Sequence, residues 1–164
     1  MEEIEAFGAL GERLGLQLHY ADVRAMAALA ERLAPLGVTP ARATAVVYIA
    51  LHEGCDQITL GRALGVNRAS TMKAVDELEA LGVLERRPGR DRRTNALHLT
   101  PAGAALRHQV EAVTREHDIA AFAPLDPAER AELGRLLAKL RLNDDAADQG
   151  DAAIAASKAA SKEG

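Results

Sequence analysis

The sequence predicts a mainly α protein with one small β-hairpin, on three observations. Ala and Leu carry most of the apolar content, while Trp is absent and Phe and Tyr number two each. Such a composition suits helices, because Ala and Leu lose little side-chain freedom there and the strand-favouring residues are sparse. Apolar residues recur at three- and four-residue steps along most of the chain, and only between Val83 and Leu99 does this give way to short alternating segments.

Ile4, Phe7, Leu10, Leu14 and Leu18 begin a helical stripe that Val23, Met26, Leu29 and Leu33 continue. Gly8, Gly11 and Gly15 weaken its first part, so a short leading helix, a break near Gly15 and a longer helix from about Leu16 to Ala34 are expected. Pro35-Leu36-Gly37 ends it. Thr39-Pro40 opens the next helix, with a capping hydroxyl and a proline whose missing N–H costs nothing in the first turn. That helix runs through Val46, Val47, Ala50 and Leu51 to Gly54.

After an extended Gln57-Ile58, Thr59 is positioned to cap a short helix ending at Leu64, with Gly65 closing it in the left-handed conformation. Asn67 caps the following helix, whose expected inward face is Met72, Val75, Leu78 and the aliphatic stem of Glu79, and which stops at Gly82. Val83–Arg87 and Asn95–Leu99 alternate around Pro88-Gly89-Arg90-Asp91-Arg92, a hairpin with a basic tip. Thr100-Pro101 repeats the cap-proline signal for a helix bearing Leu106, Val110 and Val113. Asp126-Pro127-Ala128-Glu129 has capping-box spacing, and Leu133, Leu136, Leu137 and Leu140 line the last helix. Beyond Leu142 little remains to bury, and a loose tail is expected.

A short helix from Leu60 to Leu64, a Gly65-Val66 turn and a capped helix from Arg68 to Leu81 have helix-turn-helix spacing, in which the second helix can enter a major groove and present its N-terminal residues to base edges. The candidate contacts are Asn67, Arg68, Ala69, Ser70, Thr71 and Lys73: small residues permit close approach, hydroxyls bond bases or phosphates, and the cations supply charge. Glu77 reads as solvated surface. On the hairpin, Arg86, Arg90, Asp91, Arg92 and Arg93 are candidates for a narrow minor groove, with Asp91 orienting a neighbouring guanidinium. The net charge of -4 looks wrong for such a protein, but residues 57–101 hold eight basic and five acidic side chains, +3, leaving -7 elsewhere. A basic surface on an acidic chain is what a nucleic-acid binder needs.

The run Ile58-Thr59-Leu60-Gly61-Arg62-Ala63-Leu64-Gly65-Val66-Asn67-Arg68-Ala69-Ser70-Thr71, then Val75-Asp76-Glu77-Leu78-Glu79-Ala80-Leu81-Gly82-Val83-Leu84-Glu85-Arg86, then Asp91-Arg92-Arg93 and Leu99-Thr100-Pro101-Ala102-Gly103, resembles the MarR family of bacterial transcription regulators. The resemblance extends more weakly from about Leu16 to Leu142. It implies a winged helix-turn-helix, a homodimer interlocked through the first and the last two helices, and a minor-groove contact at Asp91 and Arg93. Gly61 departs from the pattern, occupying a helix position where the family commonly has a better helix former.

The corresponding organisation is dimerisation helices over 1–34, a winged helix-turn-helix DNA-binding domain over 35–100, dimerisation helices over 101–142 and the tail over 143–164. Apolar stripes on the flanking helices exceed what one small domain can cover, which independently argues for a dimer on a pseudo-palindromic duplex site, its recognition helices ~34 Å apart. The expected function is transcriptional regulation, with repression the expected sign and release by a small aromatic or acidic effector. Tyr20 with Arg24 and Tyr48 with His52, each pair four apart, are candidate effector residues, although ordinary interfacial packing is the simpler reading of them. A winged helix used only for protein contact is the alternative, and it predicts a wing without its arginines.

Cys55, the only cysteine, lies beside Asp56, a setting that disfavours thiolate, so an inert thiol is expected. No metal site, cofactor or enzymatic motif is evident. The acidic Met1-Glu2-Glu3 start and the lack of an apolar run near ~18 residues predict a cytoplasmic protein without a membrane span.

Overall fold

The computed structural model describes residues 6–89 and 95–140. Expectations for Arg90, Asp91, Arg92 and Arg93, and for the tail over 143–164, lie outside the described residues. A 3-10 turn, Gly8–Leu10, precedes helix α1, Leu14–Leu33. The break in the leading stripe falls at Gly11-Glu12-Arg13, not near Gly15, which sits in the first turn of α1. Gln17 helps to set that start, its amide Nε2 donating to the Gly11 carbonyl at 3.3 Å.

Helix α2, Pro40–Leu51, is capped by Thr39, whose hydroxyl accepts from Arg42 N, with Pro40 at the first position as expected. Helix α3, Gln57–Leu64, begins earlier than the sequence suggests. Asp56 is its cap, Oδ1 accepting the Thr59 N–H at 2.7 Å, so Gln57 and Ile58 are helical and Thr59 is inside the first turn. A carboxylate outcompetes a threonine hydroxyl here because it adds favourable charge at the helix N-terminus to the same hydrogen bond. Gly65, at φ 65°, closes α3 in the left-handed region that glycine enters without a Cβ clash. Asn67 then caps α4, Arg68–Ala80, accepting from Ser70 N at 2.9 Å.

The buried face of α4 is Thr71, Val75 and Leu78, whereas Met72 is 44% exposed. The expected face is thus displaced by one position at its first turn. Thr71 can be buried because its hydroxyl donates to the Asn67 carbonyl at 3.0 Å, leaving no unsatisfied polar atom.

Strands β1, Leu84–Pro88, and β2, Asn95–Leu99, pair antiparallel with Leu84 opposite Leu99 and Arg86 opposite Leu97. The α2–α3 connection joins them: Gly54 N donates to Leu97 O at 3.0 Å, and Leu97 N to Cys55 O at 2.9 Å. Helix α5, Pro101–Ala121, is tied to the root of β1 by Thr100. The Thr100 hydroxyl donates to Gly82 O at 2.7 Å and accepts from Gly103 N at 3.1 Å, while Thr100 N donates to Val83 O at 3.2 Å.

Apart from the 3-10 turn, these elements share one aliphatic core, centred on Leu33, Val46, Ile49, Leu60, Val75, Leu78 and Leu97, to which Leu106 and Val110 of α5 contribute. The chain divides into two compact units, Met1–Ala121 and Phe122–Gly164. In the second, residues 127–140 are helical. The predicted capping box is present there: Asp126 Oδ1 accepts from Ala128 N and Glu129 N, and Glu129 Oε2 accepts from Asp126 N at 2.8 Å. Among the described residues no single helix is long and apolar enough to cross a membrane.

Candidate nucleic-acid interface

The cap at Asn67 and the turn at Gly65 direct the first turns of α4 outward from the core. Arg68, Ala69, Ser70 and Lys73 are all exposed there, together with Asn67 itself. Thr71 was expected in this set and is not on the surface: it is 1% exposed and serves packing between α3 and α4. Arg68, Ala69, Met72 and Lys73 line a shallow groove along α4 that ends at Asp76 and Glu77. A second cavity, of about 530 Å³, lies beside the α3–α4 turn and is bordered by Gln57, Ile58, Arg62, Val66, Arg68 and Asn95. Arg68 therefore stands between the two depressions.

Three acidic residues on the later turns of α4 oppose a polyanion, and each is engaged by an arginine. Arg42 Nη2 lies 2.5 Å from Glu77 Oε2, and Arg86 reaches both Asp76 and Glu79 through its two terminal nitrogens. Arg68 and Lys73 form no ion pair among the described residues. The net effect is a helix whose leading half is cationic and whose trailing acids are largely offset, two arginines against three carboxylates, a distribution that suits a phosphate-facing surface.

Glu77, read from sequence as solvated surface, takes part there in an ion pair. Arg42 was missed because nothing local couples it to a residue so far along the chain. Arg86, expected on the DNA-facing wing, is turned towards α4. Arg87 is exposed and paired with Glu85 on its own strand at 2.5 Å.

Three of the four candidate effector residues make aromatic contacts. Tyr48 and His52 stack with centroids 4.3 Å apart, while Tyr20 packs against Phe7 at 6.0 Å and His19 at 5.7 Å. Arg24 is exposed on α1. None of the four borders either cavity beside α4. At Cys55, burial first and the Asp56 carboxylate second push the thiol above its ordinary pKa, which keeps it protonated and poorly nucleophilic at neutral pH. Among the described residues no three His, Cys, Asp or Glu side chains converge as a metal site.

Residues 36–94 match the sequence model of the MarR family. A Thauera aromatica protein assigned to transcriptional regulation of the hcr operon is 32% identical over 139 residues, 84% of this chain and 84% of that protein. Among solved structures, a mutant of Escherichia coli MarR complexed with operator DNA superposes with a TM-score of 0.73 at 27% identity, covering 77% of this chain and 92% of that one. A Mycobacterium tuberculosis MarR family protein in complex with salicylic acid gives a TM-score of 0.65 at 26% identity, covering 78% and 96%.

Proposed function

The chain belongs to the MarR family of transcriptional regulators, and from that premise we propose that it is a homodimeric repressor acting in the cytoplasm on a pseudo-palindromic operator. The observation that carries this reading is the exposed, cationic first half of α4, with Arg68, Ala69, Ser70 and Lys73 outward, adjoining acidic residues already paired with Arg42 and Arg86. Small side chains let the helix approach a groove closely, and its cations meet phosphates on either side. The wing arginines Arg90, Arg92 and Arg93 would supply the remaining charge, with Asp91 holding a neighbouring guanidinium in one orientation. The complex of a related regulator with operator DNA supports the same use of the fold.

Repression is relieved by a small aromatic or acidic compound, a reading supported by the salicylic acid complex of another relative. In this reading Arg24, exposed on α1, would receive a carboxylate of that kind.

The test is retention of the protein's own upstream DNA by the purified full chain across a salt series. Specific binding should weaken steeply with salt, since each phosphate contact contributes about 0.9 to the slope of log affinity against log salt. Arg93→Ala should weaken binding to all fragments and reduce that slope, whereas changes at Ser70 or Lys73 should alter affinity or sequence preference. A protein that ignores every upstream fragment at low salt would overturn the proposal. Salicylate should lower operator affinity, and a titration without effect would remove the effector from it.

A further inference from the structure

We propose that Arg86 is a positioning residue, a clamp that holds the hairpin against the recognition helix, and that it does not touch DNA. The inference deepens the proposed function and rests on it for the role of α4. Alternation along β1 places Arg86 on the same face as Leu84, which is 2% exposed, and opposite the fully buried Leu97. That face packs on the protein. Asp76 and Glu79 are three residues apart on α4 and so share one side of the helix. Arg86 Nη2 meets Asp76 and Nη1 meets Glu79, so one planar fork spans both carboxylates. A guanidinium can do this because its donors are fixed in a plane, whereas an ammonium is a single point charge.

The Arg86 side chain is 21% exposed, against 58% for Asp76 and 41% for Glu79. The cation is thus the inner partner, covered by the two acids. Its position matters because β1 leads directly into the wing: the angle at which the hairpin leaves α4 determines where the wing arginines meet the duplex. The neighbouring strand residue, Arg87, lacks this geometry and, among the described residues, pairs with Glu85 beside it.

The two possible roles of Arg86 predict opposite signs for one variant. Asp76→Asn/Glu79→Gln removes two negative charges near the duplex, so simple electrostatics would tighten binding. Loss of a clamp would weaken it.

The experiment compares the wild-type chain with Arg86→Ala, Arg86→Lys and the double variant, measuring affinity for the upstream fragment across a salt series and amide hydrogen exchange without DNA. Arg86→Ala and the double variant should each lower affinity roughly three- to tenfold, the scale of two half-exposed ion pairs. They should keep the wild-type salt slope and accelerate exchange in β1 and β2. Arg86→Lys should recover part of the loss. A slope reduced by about 0.9 per half-site in Arg86→Ala with hairpin exchange unchanged, or tighter binding by the double variant, would overturn the clamp. If the wild-type chain retained no fragment, the operator reading would fail by itself, and accelerated or unchanged hairpin exchange would alone uphold or overturn the clamp.

Discussion

Gly103 shows how much one missing side chain can decide. A Cβ built on it would stand 1.9 Å from the Val83 carbonyl oxygen and 3.0 Å from its carbon. No rotamer relieves a clash with backbone, so Gly103→Ala must push α5 away from the root of β1 and disturb the Thr100 hydroxyl bridge. A loss of about 3 kcal/mol, at the upper end of overpacking costs, is expected in urea unfolding. The Thr-Pro-x-Gly signature thereby acquires a physical meaning: the threonine bridges two backbone segments and the glycine lets them touch.

Asp56 is a second decisive residue, and its effect depends on pH. The Thr59 backbone N–H, its largest influence, holds the Asp56 carboxyl below the ordinary 3.8. A group depressed in the folded state contributes stability that is fully present above its unfolded pKa and is lost as pH falls through the folded one. Asp56→Ala should therefore cost about 1 kcal/mol at neutral pH, as for other helix caps. The gap between wild type and Asp56→Asn should close as the solution is acidified through and below the normal carboxylate range. Chemical denaturation at several pH values measures both.

At the scale of elements, the contact of α3 with α4 explains an apparent flaw in the sequence. Glycine inside a helix gives up about 1 kcal/mol relative to alanine, yet Gly61 occupies the middle of α3. A Cβ there would lie 2.7 Å from Thr71 Oγ1 and 3.4 Å from the Val66 carbonyl. Close approach of the two helices at the turn is what the glycine permits. Gly61→Ala alone should lower stability by about 1 kcal/mol, overpacking exceeding the gain in helix propensity. In a Thr71→Ala background the obstacle is gone, while the Asn67 carbonyl still accepts from the backbone N–H at position 71 at 3.0 Å. There the same change should become neutral or stabilising. A double-mutant cycle in which the two effects simply added would refute the contact's importance.

For the whole molecule, the uncovered apolar surface is the main physical demand. Leu14 is 82% exposed, Leu10 59% and Ile119 61%, and Phe7, Leu18, Val23 and Met26 are exposed beside them in sequence. In the second unit Leu136, Leu137 and Leu140 are exposed as well. Single exposed apolar residues are ordinary, but a series at helical spacing calls for a covering surface. The proposed homodimer supplies one. Leu14→Glu/Leu18→Glu should shift sedimentation towards a monomer while leaving helix content unchanged, since neither side chain contributes to the core. Operator affinity should fall on the order of a hundredfold, because the two half-sites would then be bound independently.

Periodicity, capping residues and turn glycines by themselves determined the helices, their order, the hairpin and the outward placement of Ala69, Ser70 and Lys73. These depend on neighbours in sequence, and local rules suffice for them. Tertiary structure alone decided that Thr71 rather than Met72 is buried and that Arg42 and Arg86 hold the acids of α4, whereas the Asp56 cap of α3 is a local choice between two neighbouring side chains. Adjacent positions on a helical wheel differ too little for composition to choose the buried one. An ion pair between distant residues exists only once packing has set the distance. The same holds for Gly61 and Gly103, whose missing Cβ atoms matter because of what the fold brings against them.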